Sequence, residues 1–117
     1  MKASELRTGN ILLSVQTGKP IIVDWLVIKH IHDGNRQAPP YDMSVVYEPI
    51  PLTEEVLLKC GYSLDNPNAS AYRCRDMPYI YHRNGKWTLS TGIPFKYVHE
   101  FQNRIYSLTG KELEVRL

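Results

Sequence analysis

Apolar positions along this chain come in short runs separated by turn-forming residues. Ile11-Leu12-Leu13-Ser14-Val15 lies between Thr8-Gly9-Asn10 and Thr17-Gly18-Lys19-Pro20. A short apolar run bounded by turn signals predicts a strand. From Ile21 to His32 β-branched residues dominate, and both alternating sets are largely apolar: Val23, Trp25, Val27, Lys29 and Ile31, then Ile22, Asp24, Leu26, Ile28, His30 and His32. That pattern predicts a central or strongly bent strand, ended by Asp33-Gly34-Asn35. Arg36 to Asp42, with Pro39-Pro40, reads as an exposed loop, and Met43 to Ile50 as a third strand. Several short strands with tight turns across residues 1–50 predict a small curled sheet or SH3-like barrel.

The rest of the chain mixes helix and strand. Pro49-Ile50-Pro51 stiffens the entry to a helix over Glu54–Cys60. Thr53 is its predicted N-cap, and Glu54 and Glu55 sit at the positive end of the helix dipole. Leu52 and Leu57 are spaced for a hydrophobic staple, and Gly61 for the helix stop. Asp65 to Ser70 is polar, contains a proline and reads as a loop. Tyr79-Ile80-Tyr81-His82-Arg83 and Lys86-Trp87-Thr88-Leu89-Ser90 flank Asn84-Gly85, which tolerates the positive φ angles of a type I′ turn. A two-residue loop sets the register: Arg83 opposite Lys86, His82 opposite Trp87, Tyr81 opposite Thr88, Ile80 opposite Leu89. One face then carries Ile80, His82, Trp87 and Leu89 toward a core. The other carries Tyr79, Tyr81, Arg83, Lys86 and Thr88 toward water.

A last helix is predicted from Pro94, in its first turn, to Gly110, with an apolar stripe of Val98, Phe101, Ile105 and Leu108. Lys111 to Leu117 alternates and predicts a final strand with Leu113, Val115 and Leu117 inward. The fold class is therefore α+β: a single domain over residues 1–117, β-rich over 1–50 and helix–hairpin–helix–strand over 51–117.

Composition narrows the function classes. The chain has 117 residues, 43% hydrophobic and 22% charged, with a net charge of +2. These values fit one globular domain and exclude global disorder. The charge is too small to imply nucleic acid by itself, so any cationic footprint must be local. Two cysteines, Cys60 and Cys74, are too few for a disulfide scaffold and suit a reducing compartment. The N-terminus lacks an apolar segment of signal-peptide type, and Trp25-Leu26-Val27-Ile28 is far short of a membrane span. A soluble, cytoplasmic protein is expected.

Three segments together carry a likeness: Glu5-Leu6-Arg7-Thr8-Gly9-Asn10, Pro49-Ile50-Pro51-Leu52-Thr53, and Tyr97-Val98-His99-Glu100-Phe101-Gln102-Asn103 running on to Leu108-Thr109-Gly110-Lys111-Glu112-Leu113. The set resembles a family of small uncharacterised proteins of gut anaerobic bacteria, often in prophage or mobile-element neighbourhoods. The resemblance spans almost the whole chain and implies a bacterial cytoplasmic or phage-associated origin. It transfers no activity, cofactor or site residue.

Four groups of residues have chemistry to weigh. On a strand His30 and His32 would share a face and offer two imidazoles to a metal; the plainer reading is a polar strand end. Cys74 lies between Arg73 and Arg75, whose charges would lower the pKa of an exposed thiol; a Cys74–His82 nucleophile pair is set against two buried, inert cysteines. Tyr72, Arg73, Arg75, Tyr79, Tyr81, Arg83 and Lys86 interleave aromatic and cationic side chains on or beside the hairpin. That mix suits a protein partner or single-stranded nucleic acid, and the plainer reading is a solvated sheet edge. His99, Gln102 and Tyr106 share one helix face and either bind a ligand or orient the helix.

No phosphate-binding loop, nucleophile elbow, zinc-protease motif or paired-carboxylate signature is present. The chain is therefore read as a non-catalytic binding or accessory protein, without cofactor, that engages a protein partner through the aromatic–basic hairpin face. A nucleic-acid-binding module using that face is the alternative. A small metal-dependent enzyme is a further one, requiring His30, His32 and His99 or Cys74 to converge.

Overall fold

Asn10 fastens the turn that starts the first sheet. Its Oδ1 accepts the Arg7 N–H at 2.7 Å, and its carbonyl accepts the Val23 N–H, also at 2.7 Å. Asn10 is fully buried, and such bonds are what make a buried amide tolerable. A computed structural model of the chain describes residues 3–37, 42–43, 46–68, 70–89 and 93–117. They divide between two units, Met1–Ile50 and Pro51–Leu117.

In the first unit β1 (Ile11–Ser14) pairs antiparallel with β2 (Lys19–Ile22) on one side and β3 (Tyr47–Pro49) on the other. Leu12 sits opposite Ile21 and Pro49. The two outer strands carry Pro20 and Pro49, and proline is at home only on sheet edges, where it also discourages further pairing.

The strand expected from Ile21 to His32 stops at Ile22, and α1 (Trp25–Arg36) follows. Asp24 is the reason. Its backbone is extended, and its carboxylate accepts the Val27 N–H at 3.0 Å, capping the helix. Val27, Ile28 and Ile31 then turn toward the sheet, while Trp25 and Leu26 stay exposed. Asp33-Gly34-Asn35, expected to end a strand, lies inside the helix. Gly34 is there because the Met43 thioether occupies the space a Cβ would take. Leu12, Val23, Ile31 and Met43 form the core, with Leu6, Ile21 and Val46 packed against it. The barrel expectation counted residues 21–32 as strand; they supply one strand end and a helix. The third strand is shorter than expected, and residues 44–45 lie outside the described residues. So do residues 38–41 of the expected loop; Arg36 of that loop ends α1 instead.

In the second unit α2 (Glu54–Lys59) forms as its sequence predicts. Thr53 Oγ1 accepts the Val56 N–H at 3.3 Å. Leu52 and Leu57 are both buried, and Gly61 takes a φ of 92°. Then β4 (Ser63–Asn66), β5 (Ala71–Arg73), β6 (Ile80–Arg83) and β7 (Lys86–Leu89) build an antiparallel sheet in that order. Asp65 and Asn66, expected in a loop, belong to the exposed edge strand β4, where the register shifts past Leu64. The β6–β7 hairpin has the expected register throughout, with φ of 54° at Asn84 and 73° at Gly85; Ser90 lies outside the described residues.

Two antiparallel bridges, Trp87 with Phe95 and Pro51 with Tyr97, continue the pairing beyond β7. Pro94 thus precedes an extended segment instead of opening the helix. That helix, α3, runs Val98–Thr109, and Glu100 Oε1 accepts the N–H groups of Lys96 and Tyr97 at 3.2 and 3.1 Å. Val98, Phe101 and Ile105 are buried, but Leu108 is 62% exposed. The chain leaves the helix at Gly110, φ 70°, and buries Leu113 instead. Lys111 to Leu117 forms no strand: Leu113 is buried, Val115 half-buried and Leu117 exposed, and alternation without a partner strand makes no ladder. The core is aromatic, with Phe101 stacked on Phe95 at 5.4 Å and tilted against Tyr62 at 5.7 Å.

Candidate binding face

Strand register decides which side chains share a face. Tyr72 lies opposite Ile80, and Ile80 opposite Leu89, so that row faces the core with Trp87. Ala71, Tyr81 and Thr88 form the adjacent row on the other face. By alternation Arg73, Tyr79, Arg83 and Lys86 share this outer face. Tyr79 and Tyr81 meet edge to face with centroids 6.5 Å apart. The Arg83 guanidinium lies over the Tyr81 ring, 4.6 Å from its centroid. Arg73, Tyr79, Arg83 and Lys86 are exposed and Tyr81 half-buried. Arg75 follows β5, with its side chain almost wholly in solvent and only a loose 3.9 Å approach to Asp76.

Tyr72 does not belong to this surface. It is 5% exposed, against Trp87 at 5.5 Å. Burial, helped by the Glu54 carboxylate, raises its phenol above the ordinary range. Three-residue β5 puts its middle side chain inward, and a segment that short shows no alternation in sequence. A further cation, Lys96, joins the surface. The Trp87–Phe95 bridge sets Lys86 opposite Lys96, and the Leu52 N–H donates to the Lys96 carbonyl at 2.7 Å. Lys96 belongs to the extended segment after Pro94, not to a helix.

The other candidates do not assemble. His30 and His32 lie on α1, where residues two apart point about 200° apart around the axis, so the shared face expected of a strand is lost. His30 instead contacts the Tyr47 hydroxyl through Nδ1 at 3.0 Å. Among the described residues no three His, Cys, Asp or Glu side chains gather as a metal site.

Cys74 follows the end of β5, where its carbonyl accepts the Met77 N–H at 3.2 Å, while His82 lies within β6. The ring of His82 is stacked on Trp87 at 4.2 Å. Burial raises the Cys74 thiol, outweighing a hydrogen bond from the Arg75 backbone, so the lowering expected from its arginine neighbours does not occur. Cys60 lines a 330 Å³ hollow with Lys59, Glu114 and Arg116, yet burial pushes its thiol up to about 11. Neither cysteine is poised as a thiolate. In the polar cluster His99 and Gln102 are buried, His99 stacked on Tyr97 at 5.9 Å, while Tyr106 points outward, so the three offer no common surface.

No protein-family model, curated protein or solved structure matches the chain. No helix among the described residues is long and apolar enough to cross a membrane.

Proposed function

We propose that this protein is a non-catalytic binding module that engages a protein partner through the outer face of the β5–β7 sheet. It acts in the bacterial cytoplasm, as an accessory of a phage or mobile element. The observation that carries the reading is the Arg83 guanidinium laid over Tyr81, with Tyr79 against the same ring. A rigid aromatic pair bearing a planar cation presents large contact area at low entropic cost, and Tyr and Arg dominate binding hot spots. A net charge of +2 favours protein over the phosphate backbone of nucleic acid, which demands many cations at once.

Arg73→Glu, Arg83→Glu and Lys86→Glu combined should abolish capture of the partner from the native host and leave the fold intact by circular dichroism. Capture that survives the triple substitution refutes the reading. The second reading, single-stranded nucleic acid, draws on the same interleaving of Tyr and Arg. Titration with an oligonucleotide at two salt concentrations separates them, because phosphate contacts weaken steeply with salt.

A further inference from the structure

Cys60 and Cys74 come together in the second unit. Cys60 follows the last turn of α2 and is buried; Cys74 follows β5 and is half-buried. Ser63 pairs with Arg73 at one end of the β4–β5 ladder, so the chain entering β4 and the chain leaving β5 meet at that end. There the Cys74 Sγ stands 3.6 Å from the point that a Cβ on Gly61 would occupy. Gly61 is the residue next to Cys60, so nothing but bare main chain lies on the approach from Cys74. The chemistry of the neighbours reports the same closeness. Burial raises both the Cys60 thiol and the Tyr62 phenol, and charge on Cys74 adds to each rise; such an influence fades with distance.

The two thiols differ in access. Cys60 is 6% exposed and reaches the outside only where it lines, with Gly61, the 330 Å³ hollow closed by Glu114 and Arg116. Cys74 is open enough to meet a small reagent. Both are free thiols. The chain between them is the β4–β5 hairpin, so a bond between the two sulfurs would close that hairpin at its open end and tie it to the end of α2. A cross-link across a short loop favours the folded chain by restricting the unfolded one.

We infer that Cys60 and Cys74 are a reversible dithiol–disulfide site, oxidised by low-molecular-weight disulfides. In the first step the Cys74 Sγ, as thiolate, attacks one sulfur of the small disulfide. The reagent's S–S bond breaks, and one small thiolate leaves and takes up the proton that Cys74 gave to water. In the second step the Cys60 Sγ attacks the Cys74 sulfur of the mixed disulfide. The second small thiol leaves, with the proton that Cys60 gives up. The protein pair loses two electrons and two protons, and one small disulfide becomes two small thiols. Excess small thiol reverses both steps. Access sets the order: Cys74 meets the reagent, and buried Cys60 has only to reach the sulfur held beside Gly61. The site is independent of the proposed partner face, since neither cysteine belongs to that face and the change is covalent.

The test treats the full, reduced chain with glutathione disulfide in native buffer and reads the products by intact mass and by non-reducing tryptic mapping. The expected product is a monomer that has lost two hydrogens, with the peptide beginning at Cys60 joined to the one beginning at Cys74. Dithiothreitol should restore both thiols. Cys60→Ala should halt the reaction at a mixed disulfide of Cys74 with glutathione, and Cys74→Ala should leave Cys60 unmodified. Closing should quicken about tenfold from pH 7 to pH 8, because only the thiolate attacks and burial raises the Cys74 thiol. In urea unfolding the oxidised wild-type chain should have a folding equilibrium constant about tenfold or more above that of the reduced chain, a readout that needs no variant to fold. Mixed disulfides that persist on the wild-type chain, a disulfide-linked dimer, closing only in denaturant, or an oxidised chain no more stable than the reduced one would each overturn the assignment.

Discussion

The two units solve the same packing problem with different side chains. Around β1 the core is aliphatic: Leu12, Val23, Ile31 and the Met43 thioether fitted over Gly34. Around β5–β7 it is aromatic: Tyr62, Tyr72, Trp87, Phe95 and Phe101. Their outward sides differ too. The first sheet has three short strands and a proline in each outer one, and its principal cation on α1, Lys29, is paired with Asp33 at 3.0 Å. The second lays Arg83, Tyr81 and Tyr79 on its outer face and continues past β7 through the Trp87–Phe95 bridge. The first leaves Ile22, Trp25 and Leu26 exposed and offers no comparable aromatic–cationic face among the described residues. The second sets large rings beneath a face of exposed cations and tyrosines, and on the proposed reading that pre-organised face is the binding surface.

The hardest test of that contrast is the aromatic core. Phe101 touches both Phe95 and Tyr62 and is fully buried. Phe101→Ala should cost about 3–5 kcal/mol, read by urea unfolding through Trp87 emission in a Trp25→Phe background. A cost under about 1 kcal/mol would mean that the rings do not carry the second unit.

Alkaline pH strikes the same core differently. Burial, with Cys74 beside it, moves the Cys60 thiol from 9.0 to about 11. Below pH 9 folded and unfolded chains both hold this proton. Between 9 and 11 only the unfolded chain releases it, so folding stability falls as pH rises through that window. The loss is on the order of 2 kcal/mol. Burial also raises Tyr62 above its ordinary 10.0, which prolongs the decline. Cys60→Ala should make the alkaline slope shallower in unfolding experiments at pH 8, 9 and 10; an unchanged slope would remove Cys60 as its source.

In the first unit the decisive residue is Asp24. Asp24→Ala removes the cap on α1 and should cost about 1 kcal/mol, with helical circular dichroism falling first on heating. The same residue explains what could be read from sequence. Elements fixed by local chemistry were legible: Asn84-Gly85 set the hairpin and its whole register, and Thr53 with Gly61 bounded α2. Residues 21–36 misled because Ile and Val suit strands, while the helix needs only Val27, Ile28, Ile31 and Gly34 on one side. Gly34 looked like a chain terminator, since its purpose, room for Met43, is a tertiary fact. Tyr72 reads as a surface residue in sequence because Arg73 and Arg75 follow it. Its true side follows only from pairing with Ile80. The outer-face set Tyr79, Tyr81, Arg83 and Lys86 follows from the register that the turn sets, and Lys96 does not, because its place opposite Lys86 depends on the Trp87–Phe95 bridge beyond the hairpin.

The smallest effect on stability should accompany the largest effect on binding. Arg83 meets Tyr81 in solvent, and exposed cation–π contacts contribute only about 0.5–1 kcal/mol. Arg83→Gln should therefore lower stability by about 0.5 kcal/mol or less while weakening partner binding by more than about tenfold, as loss of a hot-spot arginine does. Lys29→Gln on α1 is the matching control. It breaks an exposed Lys29–Asp33 pair, which in solvent adds little to stability, so its cost in stability is also small, and partner binding should not change. Equal binding losses from the two substitutions would show that the partner does not distinguish the outer face of the second sheet from the surface of α1. The contrast between the two surfaces would then fail at the point where it matters for function.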